Sequence, residues 1–252
     1  MSILVKTTLA EQAYQELRSR IISGELVGGT RLLPSELAAA LGISPTPVKE
    51  ACMMLEVDGL VVSSSRRGMI VRQFTEDDVY ELYDARMMLE KAALEWAFAN
   101  DRITDELIAA LTGSFERHRE FASGSTQDEL SQALSHDRQF HRHLVAAAGV
   151  GLVAEWHERA MRHLVAAGGI GLVSEWHDRT ARPADPAFVS VAGYDARSVE
   201  AYYGHSVDQH REILDAVAAR SLSQSIEALT RHLTLSRENT LMQIQRLKHH
   251  TP

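Results

Sequence analysis

Cysteine is almost missing from this chain: Cys52 stands alone among 252 residues. One thiol excludes an intrachain disulfide framework and leaves too few thiolates for a cysteine-based zinc site, so Cys52 reads as a small core residue. No apolar run approaches the roughly 18 residues that a bilayer span needs. The opening MSILVKTTLAEQAY lacks the charged-then-apolar order of a secretory signal, which points to a cytoplasmic protein with no membrane partner. No HExxH stands on any helix pattern, and the two glycine clusters near residues 149 and 168 neither follow a strand nor carry the Lys-Ser/Thr of a phosphate loop. What remains is an ordinary globular composition, 45% hydrophobic and 24% charged, long enough for two modest domains.

The formal charge of −8 hides an asymmetry: residues 1–74 carry a net +1 and the remainder −9. Only the first segment suits phosphate. There Thr8 and Glu11 have capping-box spacing ahead of Ala10, Ala13, Tyr14, Leu17 and Ile21, an amphipathic helix that Gly24 ends. Ser35 is placed to cap a short second helix through Leu41, Gly42 supplies the turn, and Ser44 caps a third helix to about Asp58. Val61-Val62, the polar loop 63–68 and Met69-Ile70-Val71 then read as a two-stranded hairpin with a basic tip. A helix-turn-helix followed by such a wing suits DNA. The N-terminal end of the third helix fits a major groove, and Arg66 and Arg67 can reach the backbone or minor groove.

The stretch over residues 8–73 resembles the DNA-binding domain of the GntR regulators. The coincident pieces are Ile22-Ser-Gly-Glu-Leu26, Gly29-Thr-Arg-Leu32, Leu37-Ala38, Leu41-Gly-Ile-Ser44, Thr46-Pro-Val-Lys-Glu-Ala51, Leu55-Glu56, Gly59-Leu60 and Arg67-Gly68. The resemblance implies DNA contacts from Ser35, Thr46, Lys49, Arg66, Arg67 and Gly68. Two positions depart from the family pattern: Pro45 stands where an arginine is usual, and Lys49 replaces a second arginine. Proline is comfortable at a first helical position, but it brings no charge, and lysine lacks the bidentate fork that reads guanine. Operator recognition is therefore expected to be altered or weakened.

Residues 75–252 read as an all-α antiparallel bundle. Thr75 and Asp78 have capping-box spacing, and Val79, Leu82, Arg86, Leu89, Ala93 and Trp96 follow with a 3–4 rhythm. Arg86 among apolar residues needs an anionic partner: a helix carboxylate, or the carboxylate of a bound small molecule. Leu130, Leu134, Asp137, His141 and Leu144 share a face of the helix from about Asp128 to Ala148, with Asp137 and His141 spaced i, i+4. His210 lies among Val207, Leu214 and Val217, and His232 beside Leu229 and Leu233. One carboxylate and three imidazoles make a first shell for Zn²⁺, Ni²⁺ or a similar ion. With 12 histidines in the chain, chance placement is the competing explanation.

Residues 76–240 resemble the FCD effector domain of the FadR-like branch of GntR regulators. The resemblance rests on Val79-Tyr-Glu-Leu-Tyr-Asp-Ala-Arg86 through Glu90, Asp137-Arg-Gln-Phe-His141, His210 to Val217, and Ala228 to Leu233. It implies a divalent metal held by Asp137, His141, His210 and His232, a carboxylate-bearing metabolite with Arg86 as a further contact, and a homodimer on palindromic operator DNA. The expected function is a metabolite-responsive transcription regulator, a repressor rather than an enzyme. The rivals are a metal-dependent hydrolase or lyase and a helical ligand-binding protein whose DNA head has decayed.

Residues 142–161 are repeated at once by 162–181, with 14 of 20 positions identical. His141 and His210 lie 69 residues apart, or 49 with one copy removed, an interval that resembles the family's. The metal frame then predates the insertion, and His143, His157, His163 and His177 are not expected as primary ligands. The extra copy amounts to about 5.6 helical turns. It forms either a local helix-turn or a long arm that exchanges helices between subunits. The irregular stretch 182–197 is expected to border the ligand cavity.

Overall fold

A computed structural model describes residues 7–22, 25–64, 68–122, 127–168 and 196–249. The chain divides into two compact units, Met1–Phe74 and Thr75–Pro252.

In the first unit, α1 (Leu9–Ile22) begins at the expected box, where Thr8 N–H donates to Glu11 Oε2 (2.7 Å) and Glu11 N–H to Thr8 Oγ1 (3.1 Å). It packs its Ala13 and Leu17 face on α3 (Pro45–Val57), which buries Val48, Ala51, Cys52 and Leu55. α2 (Pro34–Leu41) ends at Gly42, whose φ of 68° is the left-handed turn that glycine takes without a Cβ penalty. The cap of α2 differs from expectation. Leu33 is the N-cap and Pro34 the first helical residue, so Ser35 lies inside the first turn and caps nothing. Ser44 does occupy the N-cap of α3, without a side-chain cap bond.

The wing is also larger than a hairpin. β2 (Val61–Ser64) and β3 (Gly68–Val71) pair antiparallel as read, but β1 (Arg31–Leu32) adds to the other side of β3, giving the order β1-β3-β2. Two residues are too few to show a period, and β1 forms because β3 presents an open edge to it.

In the second unit, α4 (Glu76–Ala99) starts at the Thr75–Asp78 capping box, with Thr75 N–H to Asp78 Oδ2 at 2.7 Å and Asp78 N–H to Thr75 Oγ1 at 3.1 Å. α5 (Asp105–Ala122) and α6 (Gln127–Ala146) pack together, as do α8 (Ala196–Ala218) and α9 (Leu222–His249), while α7 (Gly151–Gly168) lies against α4, α6 and α9. Leu94, Leu111, Phe115, Phe140, Leu144, Ile213, Leu229 and Leu233 fill the shared core. Among the described residues this unit has no strand. The buried face of α4 is Val79, Tyr83, Arg86, Glu90, Ala93, Leu94 and Ala97; Trp96, expected on that face, is 54% exposed. α7 runs unbroken across the repeat junction at 161/162 as far as Gly168. The rest of the second copy, His177 included, and the stretch 182–195 lie outside the described residues.

Candidate metal centre and nucleic-acid interface

Helical spacing builds the centre from three helices. Asp137 and His141 project from one face of α6, His210 from α8 and His232 from α9, and one ligand atom from each lies within 4.8 Å of the others. His141 Nε2 is 3.1 Å from His232 Nε2 and 3.1 Å from His210 Nε2, and His210 Nε2 is 3.3 Å from Asp137 Oδ1. His141, His210 and His232 are at most 2% exposed.

The other ring nitrogens decide what this cluster can hold. His141 Nδ1–H donates to Glu90 Oε2 (2.7 Å), His210 Nδ1–H to the Ser206 carbonyl (2.7 Å), and His232 Nδ1–H to Gln209 Oε1 (2.9 Å). Each acceptor fixes the proton on Nδ1, so all three Nε2 atoms present bare lone pairs to one another. Burial, the largest influence, also keeps the rings neutral. It pushes His210 down to about 3 despite Asp137, His232 well below its ordinary value, and His141 down despite Glu90. Burial would raise the Asp137 carboxyl, but His210, His141, His118 and Arg86 bring it below the usual range.

Three facing lone pairs and a carboxylate repel unless a cation sits between them. Two donors at bond lengths of about 2.0–2.1 Å stand about 3.0 Å apart at a right angle and about 3.4 Å apart at the tetrahedral angle, which brackets the three separations given above. The donor set fits a divalent metal ion.

A second layer surrounds the donors. Glu90, 0% exposed on α4, takes His141 on Oε2, and on Oε1 it accepts Arg86 Nε (2.5 Å) and His157 Nε2 (3.0 Å). Burial would raise its carboxyl, yet His141, Arg86 and the two imidazole hydrogen bonds carry it well below the carboxylate range. On the opposite side His118 donates from Nδ1 to the Ala133 carbonyl (2.9 Å), and its Nε2 lies 3.4 Å from Ser206 Oγ, beside His210.

Arg86 thus has the helix carboxylate that its position demanded. Its Nη2 is nevertheless buried without a hydrogen-bond partner among the described residues. Arg86 lines a pocket with the donors Asp137 and His232, the polar Tyr83, Arg138, Ser236 and Thr240, and the apolar Leu134, Met161 and Leu164. His143 and His163 lie outside the donor cluster, as does His157. Glu90 stands one helical turn from Arg86 and could have been found by that spacing. Nothing local to the sequence marked His157 or His118.

In the first unit, Thr46 and Lys49 are exposed three residues apart near the start of α3, behind Pro45 at its first position, and Ser35 is exposed on α2. Gly68 opens β3 with a φ of 73° and the Arg31 guanidinium nearby. Arg66 and Arg67 lie outside the described residues. No helix among the described residues is long and apolar enough to cross a membrane.

Residues 9–71 match the gntR family of bacterial regulatory proteins, and residues 81–235 match the FCD domain, more than half of the chain. The HTH-type transcriptional regulator YdhC of Bacillus subtilis is 31% identical over 134 residues, 53% of this chain and 58% of that protein. The gluconate operon transcriptional repressor of Bacillus licheniformis is 34% identical over 131 residues, 52% and 51% of the two chains. This chain therefore spans between half and two thirds of these relatives' length.

The solved structure of Escherichia coli McbR/YncC superposes with a TM-score of 0.65 at 17% identity, covering 94% of this chain and 99% of that one. A GntR regulator from Rhodococcus sp. RHA1 gives 0.64 at 23%, covering 93% and 98%. The matched domains and named relatives are regulators, not enzymes. A winged helix-turn-helix and an all-α bundle, each matched in its own stretch, place this chain in the GntR family of bacterial regulators, in the branch that carries an FCD domain.

Proposed function

We propose that the chain is a metabolite-responsive DNA-binding transcription regulator, a cytoplasmic homodimer that represses at a palindromic operator. Its helical unit holds one divalent metal, Zn²⁺ or Ni²⁺, on Asp137, His141, His210 and His232, and takes a small carboxylate at Arg86. The carrying observation is the convergence of three bare Nε2 lone pairs and a carboxylate beside the unpartnered Arg86 Nη2. A set of three nitrogens and one oxygen suits these borderline ions. When bound, the ion supplies positive charge and open coordination positions for a carboxylate oxygen. Arg86 supplies a second, directional contact, and Leu134, Met161 and Leu164 give the pocket its apolar lining. The relative named a gluconate operon transcriptional repressor supports the sign of regulation.

On the DNA side, Thr46 and Lys49 face outward from α3, with Ser35, Gly68 and the wing arginines Arg66 and Arg67 supplying backbone contacts. Regulation requires that the effector bind one of two dimer geometries better than the other. The test is fluorescence anisotropy of the purified chain on the palindrome nearest its own gene and on random DNA, across a salt series, with and without Zn²⁺ and candidate carboxylates. Salt-sensitive preference for the palindrome that a carboxylate changes is expected. Equal binding to both DNAs at every salt concentration overturns the reading. Pro45 supports a second reading, a weakened reader: Pro45→Arg is then expected to raise operator affinity, and no DNA binding by either form indicates a decayed head.

A further inference from the structure

An arginine and a carboxylate left to themselves in a dry interior close into two parallel hydrogen bonds, using Nε and one Nη of the guanidinium. Arg86 and Glu90, one turn apart on α4 and 4% and 0% exposed, do not. Arg86 donates through Nε alone, and Nη2 is left without a partner among the described residues. The reason lies on two other helices. His141 Nδ1 occupies Glu90 Oε2 from α6, and His157 Nε2 shares Oε1 from α7.

We infer that His157 is a positioning residue for the metal centre. By holding Glu90 Oε1 it keeps the carboxylate turned so that Oε2 meets His141 Nδ1, and so aims His141 Nε2 at the other donors while Arg86 Nη2 stays unpaired among the described residues. Without His157, Glu90 has a free lone pair on Oε1 and Arg86 a free N–H beside it. Rotation of the carboxylate pairs the two and draws Oε2 off His141. His157 belongs to the first copy of the repeat and hydrogen-bonds Glu90 rather than any of the four donors, so its effect on the ion passes through that carboxylate. The inference rests on the metal reading above.

The test uses the full chain stripped with chelator and titrated with Co²⁺, whose visible absorption reports both occupancy and ligand geometry. His157→Leu removes the donor. His157→Gln restores an N–H at similar reach, and His157→Asn keeps the amide but falls short. Outer partners of metal-bound histidines are typically worth about 10–100-fold in affinity. His157→Leu is therefore expected to weaken Co²⁺ by that factor and alter the spectrum, with His157→Gln near wild type and His157→Asn resembling the leucine variant.

Melting of the metal-free proteins, read in parallel, separates a packing role, which shifts stability but leaves the affinity and spectrum of the folded chain unchanged. If His157→Leu does not fold, the contrast between Gln and Asn carries the test. Leucine and wild-type chains equal in affinity and spectrum, or glutamine as weak as asparagine, overturn the inference while the metal reading stands. A wild-type chain that binds no Co²⁺ overturns both.

Discussion

At the scale of single residues, a buried ion pair is costly to break and cheap to replace whole, because removing one partner leaves the other charge without compensation. Arg86→Met is expected to destabilise the helical unit by about 3–5 kcal/mol. Glu90 would then keep only its imidazole donors. The double variant Arg86→Met/Glu90→Gln should lose less than the sum of the two single changes, since no unpaired carboxylate remains. Urea unfolding of all four proteins checks it, and strict additivity would mean that the pair is not coupled. Cys52 gives a second residue-scale prediction. Burial within α3 pushes its thiol up and excludes reagent, so Ellman's reagent should react slowly with the folded chain and take up one equivalent rapidly in urea.

The four donors and Arg86 were legible as residues because helical spacing puts a polar group where an apolar one is due. Glu90 was within reach of the same spacing, one turn from Arg86, but its contacts with His141 and His157, 51 and 67 positions away in sequence, were not. A single-helix periodicity carries no information about such pairings.

At the scale of elements, the caps were the most legible feature, since a capping box depends on four consecutive residues. The boxes at Thr8 and Thr75 form as read, whereas Ser44 occupies its cap without using its hydroxyl, and Ser35 yields the cap to Leu33. Thr75→Ala should therefore cost about 1 kcal/mol, while Ser44→Ala should cost only a few tenths. Denaturation midpoints at unchanged m-value measure both, and equal losses would contradict the difference between the two caps.

The misplacement of Trp96 has a geometric cause. Leu82, Leu89 and Trp96 each precede the buried Tyr83, Glu90 and Ala97 by one residue, about 100° around the helix, so the expected stripe follows the flank of the buried face. Leu82 and Leu89 are accordingly half-buried, and Trp96 is 54% exposed. The true face advances through Tyr83, Arg86, Glu90, Leu94 and Ala97, and a purely apolar search overlooks Arg86 and Glu90.

At the scale of the whole molecule, the tandem repeat is the feature that the sequence displays most openly and explains least. Its first copy closes α6 and supplies most of α7, including His157; the second begins inside α7, where Leu164 lines the pocket. The same Arg-His-Leu-Val-Ala-Ala run thus buries Leu144 in the core and Leu164 beside the candidate effector pocket. All four donors, with Glu90 and His157, lie outside residues 162–181. Deleting that segment joins Met161 to Arg182-Pro183, and a residue preceding proline is steered away from helical geometry, so α7 should stop near the join.

The shortened chain is expected to copurify with metal at the wild-type ratio, and excess metal at about a hundred times its dissociation constant should add about 2.7 kcal/mol to the helical unit in both forms. Acetate, as a probe of the Arg86 pocket, should bind the shortened chain more weakly, because the pocket's apolar lining has lost Leu164. Metal analysis by plasma mass spectrometry and Co²⁺ spectra taken with and without acetate separate the two effects. A folded deletion variant that has lost its metal would show that the second copy is part of the metal frame rather than an addition to it.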